Sequence, residues 1–270
     1  MKMKLIALLS GVACLGAAGA ASAADMAVKA RPVPPPVVAY DWTGCYVGGH
    51  VGGAWSQDWT GSSDRSPVAP GVQWALRYGQ DSSSWVGGGQ VGCNWMSPSR
   101  FVIGVEADAS GTGLNASSRI APVALDGAPA GVPNSFAFLN RSIDWVGTVR
   151  GRVGFAPDKW LLYVTGGYAY GRVNYAADTN FIGNGGAAFP VAFSQDKSGW
   201  VAGAGVEYAF TQNWIARAEY LYYSFNSTGA VAASTLGPGT VSLYSWNHTD
   251  FHVGRVGLSY KFGGPVVARY

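Results

Sequence analysis

Three features of the sequence predict an all-β fold, in the form of an eight-stranded antiparallel up-and-down transmembrane β-barrel. Eight segments are interpreted as β-strands, and three of them clearly alternate apolar and polar side chains with the two-residue period of a strand. The connections between these segments are short and long in turn, and aromatic residues stand near the segment ends. Short periplasmic turns, long extracellular loops and girdles of aromatic residues are typical of barrels that cross an outer membrane.

The composition of the chain narrows the class of protein. Of 270 residues, 39 are Gly and only 12% are charged, whereas charged residues usually make up about 25%. The hydrophobic content of 48% excludes ordinary intrinsic disorder, which needs few apolar residues and a high net charge. A net charge of +3 is too small to indicate nucleic-acid binding, and three Cys are too few for a disulfide scaffold.

The amino terminus has the pattern of a secretion signal. Lys2 and Lys4 precede an apolar stretch over residues 5–18, and Ala21-Ser22-Ala23 is a typical cleavage site. We therefore expect a signal peptide over residues 1–23 that is cleaved after Ala23.

Two other interpretations of this terminus, a transmembrane anchor and a lipoprotein signal, fit less well. The apolar run is shorter than the ~20 residues that a spanning helix needs, and Cys14 lacks a Leu three residues before it. The Pro-rich residues 24–41 that follow are expected to form a semi-rigid periplasmic tether.

The eight predicted strands indicate a barrel over residues 42–262. A C-terminal tail over residues 263–270 is expected to follow it. In the fourth segment Trp145 and Val149 share one face, and Arg150 shares the other with Arg152. The faces of the fifth and eighth segments stay open, because apolar residues occupy both phases of the fifth and share a phase with charges in the eighth. The segments are residues 43–56, 84–96, 100–111, 142–156, 160–173, 197–210, 214–225 and 249–262.

Connection lengths favour a barrel over a soluble β-sandwich, whose strands would alternate equally well. Three-residue turns join the second segment to the third, the fourth to the fifth and the sixth to the seventh. The other connections are rich in Ser, Gly, Ala, Asn and Pro, and they cover residues 57–83, 112–141, 174–196 and 226–248. All long loops thus fall at one end of the fold, as in an outer-membrane barrel.

Aromatic residues near the predicted strand ends are interpreted as the interfacial girdles of such a barrel. They are Trp42, Tyr46, Trp55, Trp85, Trp95, Trp160, Trp200, Trp214, Tyr222 and Phe262.

Charged side chains on the inward phase form the main candidate site. The interior of an eight-stranded barrel is just wide enough for side chains to fill, so a paired set of charges would plug the lumen. A narrow wet pore lined by the same groups is an alternative that the sequence leaves open. The inward charged residues are Glu106, Asp108, Asp144, Glu207, Glu219, Arg150, Arg152, Arg217 and Arg255.

Cys45 and Cys93 are the two cysteines that remain after signal cleavage, and both fall at the tether end of their strands. In an exported chain they can form one disulfide, or they can stay as two buried or lipid-facing thiols. Glycines inside the strands, such as Gly48 and Gly49, suit the tight bends and close side-chain approach of a small barrel.

Two stretches carry a family resemblance. The opening Asp41–Gly49, DWTGCYVGG, and the ending Arg255–Phe262, RVGLSYKF, resemble the first and last strands of small alphaproteobacterial outer-membrane β-barrel proteins, the outer-membrane immunogenic or porin-like family. The resemblance covers roughly residues 40–262, although Cys45 stands where the family usually has an aromatic residue. The ending also fits the signal read by the barrel-assembly machinery, through Arg255, Gly257, Tyr260 and Phe262.

The resemblance implies a surface protein of the outer membrane that supports envelope integrity and has no agreed catalytic activity. The expected partners are outer-membrane lipid, lipopolysaccharide and the barrel-assembly machinery, with no nucleic acid, cofactor or metal; the oligomeric state is left open. A narrow channel for small solutes or ions is the main alternative. Surface adhesion through the long loops, or catalysis at the loop-end pair His248 and Asp250, are weaker ones.

Overall fold

The structure, a computed structural model, describes residues 40–65, 75–120, 136–180, 188–235 and 241–262. The predicted signal peptide, residues 24–39 of the predicted tether and the predicted C-terminal tail lie outside the described residues. No helix in these ranges is both long and apolar enough to cross a membrane. The strands are β1 (Gly44–Arg65), β2 (Ala75–Met96), β3 (Phe101–Thr112), β4 (Asn115–Ile120), β5 (Phe136–Phe155), β6 (Trp160–Asn180), β7 (Val191–Ala209), β8 (Trp214–Phe225), β9 (Thr228–Ala233), β10 (Val241–Trp246) and β11 (Thr249–Lys261).

The strands belong to one antiparallel sheet, which confirms the predicted all-β antiparallel class. Along the sheet the neighbours are β11, β8, β7, β6, β5, β3, β2 and β1, and β11 also pairs with β1. Ten residue pairs, from Tyr46 opposite Lys261 to Trp55 opposite His252, form this closing ladder. We call these eight strands the ring. Because of this ladder, every strand of the ring pairs with a neighbour on both sides.

The three remaining strands lengthen the ring at the end where the long connections lie. β4, β9 and β10 continue β3, β8 and β11 after interruptions of two residues each. β4 pairs with β5, β9 pairs with β10, and β10 pairs with β1. The five other long strands reach into the same region without a break. We call the region beyond the three interruptions the extension.

The extension shows that the prediction of four long loops is wrong. These loops were expected at residues 57–83, 112–141, 174–196 and 226–248. Much of each stretch is paired strand; Trp59 to Asp64, for example, lie opposite Gln80 to Ala75. Ser, Gly and Ala dominate these stretches. Such residues carry little β-propensity of their own, so the pattern of the sequence did not reveal the strands.

The ring carries its apolar side chains outside and its charges inside. On β6, Leu162 and Val164 are exposed, whereas Leu161 and Tyr163 are buried. On β11, Phe251 and Val253 are buried on the same face as Arg255. These positions assign the inward and outward faces of the fifth and eighth predicted segments. The same inward face holds apolar residues at one level of the ring and charged residues at another.

A β-bulge removes one predicted residue from the interior. Between Ile143 and Trp145 the register of β5 against β6 shifts, so that Asp144 is exposed. Its carboxylate accepts a hydrogen bond from the Asn174 amide at 2.8 Å. The prediction that Asp144 faces the lumen is therefore wrong, because the extra residue of a bulge breaks the two-residue alternation.

Candidate functional site

The interior of the ring holds a buried layer of eight charged side chains, which we call the ionic layer. Four are carboxylates and four are guanidinium groups, so the layer is balanced in formal charge. Burial of so many charges is tolerated only where each has partners of opposite sign. The members are Glu106, Asp108, Glu207, Glu219, Arg150, Arg152, Arg217 and Arg255, which are the predicted lumen residues without Asp144.

Arg150 lies at the centre of the ionic layer. Its guanidinium contacts the carboxylates of Glu106 at 2.5 Å, Asp108 at 2.9 Å and Glu219 at 2.9 Å. Both terminal nitrogens are used, and Nε donates to the Thr148 hydroxyl at 3.0 Å. One fully buried cation thus joins acids from two different strands.

Arg217 and Arg255 continue the network on either side of Arg150. Arg217 contacts Glu106 at 2.6 Å and Glu207 at 2.7 Å. Arg255 contacts Glu219 at 2.6 Å and Asp108 at 3.3 Å. Arg152 completes the layer through Glu207 at 2.8 Å.

The strand register explains how the sequence builds this layer. Glu106 lies directly opposite Arg150, Glu207 opposite Arg217, and Arg255 opposite Glu219. Directly opposed residues of an antiparallel pair have adjacent side chains, so opposite charges at these positions attract. Three cross-strand pairs therefore form locally, and the narrow interior brings them into contact with one another.

Uncharged polar side chains connect the remaining strands to the ionic layer. The Tyr46 hydroxyl on β1 donates to Glu106 and accepts from Arg152 at 2.7 Å. The Tyr163 hydroxyl on β6 donates to Glu219 at 2.9 Å. The prediction that Tyr46 belongs to an outer girdle is wrong, because its ring is buried at the interior.

His50 links the ionic layer to β2, a role that sequence reasoning missed. Its Nε2 accepts from the Arg255 guanidinium at 3.1 Å, because a guanidinium can only donate. Its Nδ1 then carries the proton and donates to Gln90 Oε1 at 2.5 Å. His50 shares its inward phase with Tyr46, which is the signal that could have identified it.

The end of the ring with the short turns is closed by residues that precede β1. Tyr40 and Trp42 are buried in an apolar cluster with Leu161 and Ile215. The Trp42 indole donates to the Asp158 carbonyl at 3.1 Å, and the Tyr40 hydroxyl donates to the Gln212 carbonyl at 3.2 Å. Trp42 is therefore not a girdle residue, and residues 40–41 of the predicted tether are part of the fold.

At the other end, an apolar and aromatic cluster fills the interior beyond the ionic layer and runs into the extension. Tyr223 and Phe251 stack with ring centroids 4.7 Å apart. Tyr175 packs against Trp246 with centroids 5.0 Å apart. Both pairs belong to one continuous buried cluster. The interior is thus filled at three levels by buried side chains.

Two buried cations occupy the interruptions of the strands. The Lys197 ammonium donates to the carbonyls of Asn226 and Ser227, which lie between β8 and β9, at 2.9 and 3.0 Å. The Arg141 guanidinium donates to the His248 carbonyl, between β10 and β11, at 3.4 Å. Burying a cation away from water is costly, and the carbonyl contacts offset this cost of burial.

The structure joins Cys45 and Cys93 in a disulfide. The two residues lie directly opposite each other on β1 and β2, with Cα atoms 3.9 Å apart. Cys45 is exposed on the outer face of the ring and Cys93 is partly exposed. An outward-facing groove around them is lined by Val47, Val91 and Phe262, among others.

The residues of the expected assembly signal lie on both faces of β11 and just beyond it. Arg255 belongs to the ionic layer, and Gly257 faces inward, where an added Cβ would lie 2.9 Å from the Gly49 carbonyl. Tyr260 and Phe262 are exposed on the outer face, with ring centroids 5.4 Å apart. His248 has an exposed side chain, while Asp250 lies on β11 and is partly buried.

A closed antiparallel ring of strands with an apolar outer face and a charged interior defines the class of outer-membrane β-barrel proteins. Residues 10–262 match the family model described as outer membrane protein beta-barrel domain, and the chain belongs to this family.

Relatives of known location agree with this assignment. The chain is 30% identical to the 31 kDa outer-membrane immunogenic protein of Brucella melitensis, over 94% of this chain and 98% of that protein. It is 28% identical to the 25 kDa outer-membrane immunogenic protein of the same organism, over 90% and 91% of the two chains. Among solved structures, the outer membrane protein OprG from Pseudomonas aeruginosa is similar with a TM-score of 0.48 and 15% identity, over 84% of this chain and 99% of that one. The family match and the two Brucella relatives confirm the predicted family and the predicted outer-membrane location.

Proposed function

We propose that this protein is a structural component of the outer membrane, an eight-stranded barrel whose lumen is plugged by its own side chains. In this proposal the ring crosses the membrane and the extension stands above it on the cell surface. Lipid and lipopolysaccharide surround the outer face, and the barrel-assembly machinery reads the end of β11.

The outer aromatic residues support a membrane-spanning ring. Exposed aromatic residues stand ten positions apart on three strands and across the end of a fourth, at Trp85 and Trp95, Trp145 and Phe155, Trp160 and Tyr170, and Trp200 and Phe210. Ten residues at roughly 3.4 Å each, tilted by about 40°, cover about 26 Å. This matches the apolar band of about 25 Å between the two girdles of an outer-membrane barrel.

The observation that carries the structural role is the extent of the interior network. Side chains from all eight strands of the ring take part, because Tyr46, His50, Gln90 and Tyr163 connect the strands that lack a member of the ionic layer. Apolar clusters close the interior on both sides of this layer. A water-filled path would have to break several buried ion pairs, each of which is costly to separate.

Single-channel recording tests the plugged lumen. The purified, folded protein is inserted into planar bilayers, with a water-filled porin as the positive control in the same lipid. We expect no discrete conductance steps from this protein. Regular steps would overturn the plug and favour a narrow channel for small solutes or ions.

Migration on gels tests the barrel itself. A closed barrel in detergent should migrate differently before and after boiling, and it should fractionate with the outer membrane. A protein that fails both measurements is not a membrane-spanning barrel.

A further inference from the structure

The Cys45–Cys93 disulfide links two strands of the ring whose facing positions are rich in Gly. Gly49 lies opposite Gly89, His50 opposite Gly88, and Val51 opposite Gly87. Cross-strand contacts between side chains normally fix which residues pair, and Gly-rich strands are prone to slip in register. Two glycines of this hairpin cannot be exchanged freely, because a Cβ on Gly52 would lie 2.1 Å from the Gly254 carbonyl and a Cβ on Gly88 would lie 2.0 Å from the Ala109 carbonyl.

The position of β1 makes this register important for the whole ring. The same strand pairs with β2 on one side and with β11 on the other. A slip of β1 against β2 would move every residue of β1 away from its partner on β11. It would also carry the Tyr46 side chain away from Glu106. The disulfide joins directly opposed residues, so it admits only the native register.

The surroundings of the disulfide bear on the stage of assembly at which it can form. The bond faces outward beside Val47 and Val91, two positions inside the exposed Trp95. In the proposed barrel this places it in the apolar band of the membrane. Thiol–disulfide exchange proceeds through a thiolate, and a charged thiolate is strongly disfavoured in hydrocarbon.

We propose that the Cys45–Cys93 disulfide forms in the periplasm before the barrel inserts, and that it sets the register of the β1–β2 hairpin on which β11 later closes. This inference rests on the proposed membrane-spanning barrel. In the bond-forming step the two thiols lose two protons and two electrons, and the electrons reduce the disulfide of a periplasmic protein disulfide donor to a dithiol. After insertion, lipid protects the bond from exchange.

The order of events can be measured in cells by pulse-labelling. Free thiols are trapped with a high-mass maleimide at successive times, and samples are separated without boiling. The third Cys of the sequence lies in the predicted signal peptide. In the mature chain the maleimide can therefore label only Cys45 and Cys93. We expect the bond to be present already in the unfolded pool; a bond that appears only in the folded form would overturn the proposed order.

A second measurement, made on the native protein, asks whether a reductant can reach the disulfide. Isolated outer membranes are treated with a charged, water-soluble thiol reductant, and the same sample is treated after boiling in detergent. We expect reduction only after boiling. Reduction in the intact membrane would contradict protection by lipid, even if the protein is a heat-modifiable barrel.

Variants test the role in register. Cys45→Ala with Cys93→Ala should slow the appearance of the heat-modifiable form. Adding Val47→Cys and Val91→Cys, the next directly opposed pair on the same face, should restore it. The matched control adds Ile103→Cys and Val153→Cys, a directly opposed outward pair on β3 and β5, and should not restore it.

Three outcomes overturn the role in register: normal assembly of the Cys-free variant, no recovery when the Val47→Cys and Val91→Cys bond has formed, or equal recovery by the β3–β5 control. Wild-type protein that never becomes heat-modifiable would instead contradict the proposed barrel.

Discussion

The ionic layer depends on individual residues to unequal degrees, because its charges share partners. Arg150 contacts three carboxylates, whereas Arg152 lies at the edge of the layer with Glu106 at 3.3 Å and Glu207 at 2.8 Å. Loss of one cation leaves the buried network with an excess of negative charge and weakens the pairing of each acid that it contacted. The cost of a substitution should therefore follow the number of acids that lose a contact.

Replacing Arg150 with Met should destabilise the barrel by about 3–5 kcal/mol, since three buried acids lose a cation. Urea unfolding of the protein in lipid vesicles measures the change. The control Arg77→Met removes a surface ion pair with Asp64, whose side chains are 67% and 39% exposed, and should leave the midpoint unchanged. Equal effects of the two substitutions would contradict a paired interior.

Asp108 and Asp144 provide a test of which face each residue occupies. Asp108 is buried and accepts from Thr148 at 2.5 Å, whereas exposed Asp144 accepts from Asn174. Asp108→Asn should lower the temperature at which the folded form unfolds in detergent, and Asp144→Asn should not. A similar loss in both variants would argue against the bulge in β5.

At the scale of elements, the strand interruptions between the ring and the extension are held by side-chain hydrogen bonds in addition to backbone ones, such as that from the Asn247 amide to the Thr60 carbonyl at 3.1 Å. Lys197 serves the interruption after β8, and Arg141 serves the one before β11. At the third, the Thr112 hydroxyl donates to the Ile143 carbonyl at 3.0 Å and accepts from the Leu114 amide at 3.0 Å. Buried backbone groups need such partners wherever a ladder stops.

Lys197→Met should therefore loosen the extension without opening the ring. Two carbonyls lose their donor, so we expect faster proteolytic cleavage near residues 226–227 in the folded protein. The heat-modifiable form should persist. Lys159→Met, on an exposed turn at the opposite end, is the control; cleavage that is unchanged in Lys197→Met would show that the interruption does not need the ammonium.

The ring strands could be predicted from the sequence, and the details that correct the prediction could not. Alternation and short turns identify a strand such as β3, because Phe101 and Ile103 face out while Glu106 and Asp108 face in. The bulge at Asp144 leaves no mark in the residue pattern. The burial of Trp42 depends on the turns at Asp158 and Gln212, which are distant in sequence. The contacts between the cross-strand pairs, such as that of Arg150 with Glu219, depend on closure of the ring, which no local pattern encodes.

At the scale of the whole molecule, the ring should assemble independently of the extension. Deleting residues 228–246 and joining Ser227 to Asn247 through a two-residue turn removes β9 and β10, whose ends lie opposite each other. We expect this variant to remain heat-modifiable. Loss of residues 249–262 should abolish assembly, because β8 and β1 would both expose an edge to lipid.

A ring that assembles without β11, or one that does not assemble without β9 and β10, would contradict the proposed independence of the ring from the extension. Fractionation with the outer membrane and migration before and after boiling provide both measurements.

The closing ladder also has a consequence for the timing of synthesis. β1 and β11 lie at opposite ends of the described chain, so the contact that completes the ring is among the last that export can supply. Until then β1 presents an open edge, which is a template for aggregation. This exposed state therefore lasts at least until the last strand has been exported and has paired with β1.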